Sequence, residues 1–318
     1  MTTAEAERLL MSGRGAEAIG LLRTLADKDG RAAALTANIA AWGVLCPRDL
    51  AGSLAFLERA AVLGWAPAQG CLRLLACEQD ASDWGALRRR IDLGALIAAP
   101  APRTLSESPR ARVFEGFATA AECDWLVARA RGGLRRAQVH ASNVALSTSE
   151  VRTNSEADFS FLESDVATCL VRDRIAAAAR AHERFFEVMK LLHYEPGQEF
   201  ARHADYFELT PHYLEHEIGP RGQRAATFLL YLNDDYEGGE TVFPDAGVRY
   251  KGRKGDALLF LNVDKTGAPD PASIHAGSAP TRGEKWILSQ WIRSKPINVF
   301  MTPGVSTAPL GADWLANA

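Results

Sequence analysis

VMKLLHYEPGQEFARHADYF, residues 188–207, decides how the second half of this chain folds. It opens on a short apolar run, breaks at Glu195-Pro196-Gly197-Gln198, and resumes as an extended segment carrying His203 and Asp205. Three further runs follow the same plan: ATFLLYLND (226–234), GDALLFLNV (255–263) and KWILSQWIR (285–293). The clusters DDYEGGE and KGRKGD punctuate them. Short apolar or alternating runs between such turns predict strands, and several in succession predict a sandwich or barrel. Two helices precede them. ATAAECDWLVARARGG (118–133) has Thr119 placed as a cap, with Glu122 three residues on, as in a capping box. SDVATCLVRDRIAAAARAHER (164–184) is the second. Helices leading into a β-rich half give an α+β fold.

The first ~90 residues have a different texture, rich in Ala and Leu at helical spacing. AEAIGLLRTLADKDGRAAAL (16–35) lines up with GSLAFLERAAVLGWAPAQGCL (52–72) at an offset of about 35 residues. In both, an apolar helical stretch ends at a Gly turn and a second Ala-rich helix begins. Through Ala61, Gly64 and Ala68 this stretch resembles Sel1-like or tetratricopeptide repeats, which implies helix pairs stacked as a small all-α solenoid. An ordinary helical bundle is the plainer alternative. LGALIAAPAPRTLSES (93–108) has two prolines and no long helical period, which suits a linker. The expected organisation is a helical-repeat domain over 1–92, a linker over 93–106, a catalytic domain over 107–296, and a tail over 297–318 without clear period.

Bulk properties bound the function. With 318 residues, 47% hydrophobic and 24% charged, the chain can bury a sizeable core. A net charge of −3 makes no electrostatic case for nucleic acid or an anionic membrane. MTTAEAERLL lacks the pattern of a secretory leader, and no stretch approaches a membrane span. Cys46, Cys71, Cys77, Cys123 and Cys169 are scattered without a CxxC pair, which predicts reduced thiols in a cytoplasmic protein.

The chemistry rests on Arg202-His203-Ala204-Asp205-Tyr206 and, about 70 residues on, Ser273-Ile274-His275-Ala276-Gly277. Side chains two apart on extended backbone point the same way, so His203 and Asp205 can take adjacent corners of one coordination sphere. His275 from a distant strand completes a face. Two imidazoles and a carboxylate leave positions open, as iron(II) needs to bind a bidentate keto acid and then O2. An HxD pair alone is weak evidence. Lys285 adds to it: it shares one face of its strand with Ile287, Ser289 and Trp291, and a cation inside a barrel requires an anion. The bland alternative is that Lys285 flanks the strand and reaches solvent.

LLHYEPGQEFARHADYF, GQRAATFLLYLND, GGETVFP, KGDALLFLN and SIHAGSAPTRGEKWILSQWIR, in this order, resemble the catalytic domain of the prolyl 4-hydroxylases over roughly residues 107–296. The resemblance implies a double-stranded β-helix (jelly-roll) core with flanking helices, iron(II) and 2-oxoglutarate as cofactors, O2 as co-substrate and ascorbate as reductant. It implies His203, Asp205 and His275 as iron ligands and Lys285 as binder of the 2-oxoglutarate carboxylate. Tyr194, Thr241 and Trp291 match residues lining the co-substrate pocket, and Arg152 and Arg224 match arginines near the peptide groove. Phe200 departs from the family, which usually has tyrosine there; the change is expected to remove a polar contact on the substrate side without touching metal binding. The implied reaction is hydroxylation of an unactivated C–H bond, first of a prolyl residue in a peptide or protein, with release of succinate and CO2. Hydroxylation of another residue, a free amino acid or a small metabolite remains open, as does a scaffold carrying a sensing, non-catalytic oxygenase domain. The helical repeats are expected to recruit a protein partner or substrate.

One rival motif sits in the insert ELTPHYLEHEIGPRG (208–222). His212, Glu215 and His216 fit the H-x-x-E-H pattern of some zinc peptidases. Pro211 before it and Gly219-Pro220 after it confine it to barely two turns, so the expectation is a solvated loop. No P-loop and no GxSxG elbow is present.

Overall fold

The computed structural model describes residues 2–140, 146–147, 151–297 and 308–317. Chain contacts divide it into two compact units. The first comprises residues 1–98, 161–174 and 298–306; the second comprises 99–160, 175–297 and 307–318. Residues 298–307, the larger part of the tail, lie outside the described ones.

In the first unit, helices Thr3–Met11, Gly15–Leu25, Gly30–Trp42, Leu50–Val62 and Ala66–Leu75 follow one another through short turns. Side chains of Thr2, Asp29 and Asp49 accept backbone N–H bonds at three of the starts, satisfying donors that a helix leaves orphaned. The second and fourth helices begin at Gly15 and Leu50, the third and fifth at Gly30 and Ala66, so the two-helix unit recurs at the offset seen in the sequence. Fully buried Ala32, Ala37, Ala60 and Ala61 let neighbouring helices approach closely. The segment 161–174 belongs to this unit. Phe161 joins the cluster of Leu21, Leu22, Leu35 and Ile39, Asn38 donates to the Ser164 carbonyl at 2.8 Å, and Arg48 pairs with Asp173. Residues 93–106 hold a five-residue helix, Leu93–Ile97, and most of the strand Arg103–Glu107.

The second unit is built on two antiparallel sheets. The major one runs Arg103–Glu107, Arg110–Phe114, Ala257–Leu261, Arg224–Tyr231, Lys285–Arg293, Met189–Tyr194, Ser155–Phe159 and Arg135–Arg136 from edge to edge. The minor one runs Val248–Tyr250, Thr241–Phe243, His275–Gly277 and Phe200–His203. Most neighbours in the list are not neighbours in sequence, which is the crossing pattern of the jelly roll. Phe243 from the minor sheet packs with Leu192, Tyr194, Leu229, Phe260 and Ile287 from the major one, so the core lies between the sheets. Every residue of Lys285–Arg293 is buried. One face of the strand turns inward and the other is covered from outside, which is why apolar residues occupy both faces. The helix Ala120–Ala130, capped by Thr119 and Glu122 in the expected box, lies against Ser155–Phe159. Ahead of it, Phe117 packs on the outward ring of Phe228 at 4.9 Å. No helix among the described residues is long and apolar enough to cross a membrane.

The insert departs from expectation. Residues 211–221 form a continuous helical stretch, Pro211–Tyr213, then a π-turn Leu214–Ile218, then Gly219–Arg221, where a loop was expected. Thr210 caps it, and Glu217 pairs with Arg293, a buried cation that holds the helical form.

Candidate active site

The minor sheet brings the histidines together. His275 and His203 are register partners across the antiparallel pair, with ring centroids 4.3 Å apart. Asp205 lies in a bend two residues past the strand end and reaches the same side: its Oδ1 is 3.5 Å from His203 Nε2 and its Oδ2 3.8 Å from His275 Nε2. The ligand atoms of the three fall within 4.8 Å of one another, and among the described residues no other such group of His, Cys, Asp or Glu occurs. The rings of His212 and His216 lie 4.8 Å apart, tilted by 55°, on the largely exposed insert but assemble no such set.

Each imidazole is prepared for a metal. His203 Nδ1 lies 2.8 Å from the Ala201 carbonyl and His275 Nδ1 3.0 Å from the Ser273 carbonyl. A carbonyl only accepts, so both Nδ1 atoms carry the proton and both Nε2 lone pairs face the site. Burial, reinforced by His203, lowers His275 to about 4, which keeps it neutral.

From this triad a cleft runs between the sheets. Leu192, Leu229 and Ile287 give it apolar walls, and Lys285, Ser289 and Trp291 line it from the face assigned to them by alternation. Lys285 is 2% exposed. Its register partner is Tyr194, whose ring lies 5.1 Å from the ammonium. Among the described residues the ammonium makes no hydrogen bond or close ion pair; burial lowers it to about 7 against the weaker pull of Glu240. Tyr194, raised to about 12 by burial, stays a neutral phenol in the same wall. Thr241 also lines it, its hydroxyl 2.9 Å from that of Tyr231. The donor set suits iron(II), whose non-haem oxygenase sites are two His and one carboxylate with open positions. The unpaired buried ammonium suits a dicarboxylate with one end at the metal. The residues therefore fit both groups.

Arg152 and Arg224 do not line the cleft; Arg152 is buried, Arg224 half-buried, and both are engaged. Arg224 makes two hydrogen bonds to Glu187, at 2.7 and 2.8 Å, and stacks 3.9 Å from the Trp291 ring centroid. Arg152 binds the Gln138 carbonyl and Asn154. Its Nη2 is also 3.0 Å from Glu156 Oε2, near enough to attract, though neither atom is aligned for a hydrogen bond. Each arginine faces a nearby carboxylate, Glu187 for Arg224 and Glu156 for Arg152. Phe200 does touch the metal site. Its ring lies flat on His203, centroids 3.4 Å apart and planes 8° from parallel, with the Arg152 guanidinium 4.7 Å from the same ring. Thr227 and Asn262, which sequence reasoning passed over, stand behind Asp205: Thr227 Oγ1 is 2.6 Å from Asp205 Oδ2 and Asn262 Nδ2 is 2.9 Å from Thr227 Oγ1. The available signal was a polar residue inside or just after an apolar run.

Sheet topology and site together define a 2-oxoglutarate-Fe(II) oxygenase, and the model of the 2OG-Fe(II) oxygenase superfamily matches residues 189–293. Within that class the chain is 36% identical over 223 residues to probable prolyl 4-hydroxylase 4 of Arabidopsis thaliana, covering 63% of this chain and 73% of the relative. Prolyl 4-hydroxylase 2 of the same plant is 34% identical over 222 residues, covering 63% and 72%. The chain belongs to the prolyl 4-hydroxylase family. Among solved structures it is similar to the viral collagen prolyl hydroxylase of Paramecium Bursaria Chlorella virus-1 in its 2OG complex, at 25% identity and a TM-score of 0.45, over 57% of this chain and 94% of that one.

Proposed function

We propose that this protein hydroxylates a prolyl residue of a peptide or protein substrate, using iron(II), 2-oxoglutarate and O2. The observation that carries this reading is the pairing, in one cleft, of an open His-Asp-His triad with a buried ammonium that has no acceptor of its own. The prolyl 4-hydroxylase relatives support the prolyl target.

In this reading His203 and His275 bind iron through Nε2 and Asp205 through a carboxylate oxygen. Bound together, iron(II) and 2-oxoglutarate supply the oxidising chemistry that spends O2 and the keto acid on succinate, CO2 and a hydroxylated C–H bond. Lys285 binds the distal carboxylate, with the Tyr194 and Thr241 hydroxyls beside it. Leu192, Leu229 and Ile287 exclude water along the co-substrate chain, which strengthens the Lys285 ion pair. Trp291 lines the wall with a buried indole N–H that has no hydrogen-bond partner, and Arg224 with Glu187 fixes its plane. Arg152 serves the substrate side through Phe200, the ring it supports, and does not reach the target itself.

Ascorbate as reductant follows the same reading. The N-terminal helices, taken as Sel1- or tetratricopeptide-like pairs, would offer a surface to a protein partner or substrate; the recurrence of helix starts supports this. The five cysteines are free thiols, in keeping with a cytoplasmic location.

The test is mass spectrometry of proline-containing peptides incubated with iron(II), O2 and ascorbate, with and without 2-oxoglutarate. A product carrying one added oxygen on proline, only with 2-oxoglutarate, is expected; Asp205→Ala should lose it together with succinate release. Succinate release at the original rate from that variant would refute the ligand assignment.

A further inference from the structure

We infer that Thr227 and Asn262 are positioning residues that lock the Asp205 carboxylate so that a single oxygen, Oδ1, faces the metal. This rests on the iron reading above.

The geometry leaves little freedom in how the protons run. The Thr227 hydroxyl donates to Asp205 Oδ2 across 2.6 Å. Having given its proton there, the hydroxyl must accept from its other neighbour, so the amide nitrogen of Asn262 faces it at 2.9 Å. The chain of donors therefore points one way: Asn262 to Thr227 to Asp205. With Oδ2 held by a short hydrogen bond, Oδ1, the oxygen 3.5 Å from His203 Nε2, is left for coordination. A carboxylate free to rotate could present both oxygens and close a position that the co-substrate or O2 needs.

Burial supports a built device. Thr227 is 1% exposed and Asn262 fully buried. The Asn262 Oδ1 has no hydrogen-bond partner, so the amide is kept in an apolar interior with half of its bonding capacity unmet, a cost that a merely structural residue would shed. The backbone fixes both ends. Thr227 sits mid-strand opposite Phe260 on one side and Trp291 on the other. The backbone of Asn262 donates to the Ala225 carbonyl at 2.9 Å and accepts from Asp270 at 3.0 Å.

The test is cobalt(II) binding without turnover, followed by calorimetry and by the visible absorption of the bound ion. Wild type should bind with a defined spectrum. Thr227→Val keeps shape but loses the hydroxyl; it should weaken binding roughly 10- to 100-fold and change the bands. Thr227→Ser should restore both to within about threefold of wild type, since the hydroxyl returns. Asn262→Leu leaves the hydroxyl but frees its rotation, so its affinity should fall by about threefold or more. Wild-type affinity and an unchanged spectrum in T227V would overturn the inference. Should T227V lose its fold by circular dichroism, N262L decides in its place, wild-type behaviour there being equally fatal. A wild-type chain that takes up no cobalt would instead overturn the iron reading and this inference with it.

Discussion

At the scale of single residues, the free protein carries a cost at Lys285 that a ligand removes. Burial leaves its ammonium without water and brings it down from 10.5 to about 7. A bound carboxylate favours the charged form, so the complex has a higher pKa than the free protein. Below pH 7 both states are protonated and affinity for 2-oxoglutarate is level. Above it, binding must restore a proton that the free protein has lost, and affinity should fall toward tenfold per pH unit. Calorimetry on the cobalt form at about pH 8, in buffers of different ionisation enthalpy, should show proton uptake approaching one per site; level affinity from roughly pH 6.5 to 8.5 would count against Lys285 as the anchor. Removing the cation by Lys285→Ala should raise the 2-oxoglutarate requirement on the order of 10- to 100-fold. Steady-state succinate assays check this, and an unchanged KM moves the anchor elsewhere. His203, Asp205, His275 and Lys285 are legible in the sequence because alternation along a strand sorts them onto one side. Thr227 and Asn262 are not, since a hydroxyl inside ATFLLYLND looks like any half-buried strand residue until its carboxylate neighbour is known. The engagement of Arg224 is hidden because Glu187 lies 37 residues away, whereas Glu156, beside Arg152, stands only four residues on.

At the scale of elements, the turns carry as much of the fold as the runs between them. Gly255 closes the KGRKGD turn with φ +91°, which side chains rarely adopt. It donates to the Tyr231 carbonyl at 2.8 Å and accepts from Ala118 N at 2.9 Å, tying the entry to Ala257–Leu261 to the segment ahead of the first catalytic-domain helix. A Cβ there would sit on the backbone oxygen of Ala118. Gly255→Ala should cost ~2 kcal/mol or more, read as a lowered midpoint in urea; a cost under ~0.5 kcal/mol would mean that the turn relaxes freely. The milder change Thr119→Ala removes one half of the capping box and should cost about 1 kcal/mol. Strands of five to nine residues announce themselves in the sequence through length and apolarity. Those of the minor sheet are three or four residues long and mostly half-exposed, too short for a period to register. The 211–221 helix hides for another reason: Pro211 and Pro220 read as breakers, whereas each sits in the first turn of its own helical segment, where a missing N–H costs nothing.

At the scale of the whole molecule, the helix Val166–Ala179 sets how the chain can be cut. Its first part, with residues 161–165, is assigned to the same unit as the N-terminal helices. Within that unit Arg48 pairs with Asp173, the Cys169 thiol donates to the Ala41 carbonyl at 3.4 Å, and Arg174 donates to the Leu96 carbonyl at 2.7 Å. Val166, Cys169, Leu170 and Val171 are buried. A chain starting at residue 99 keeps residues 161–174 but loses Leu21, Leu22, Leu35 and Ile39, against which Phe161 packs, and every partner just named. Asp173 would lose its bond to Arg48 and Arg174 its bond to the Leu96 carbonyl, and a bare apolar helix face attracts other copies. The N-terminal helices are therefore part of what keeps this helix folded, whatever partner they also meet. Deleting residues 1–98 should lower the melting midpoint on the order of 10 °C and shift the chain toward higher-order species in size-exclusion chromatography with light scattering. A truncated chain that stays monomeric and melts within about 2 °C of the full protein would show the two units to be thermodynamically independent.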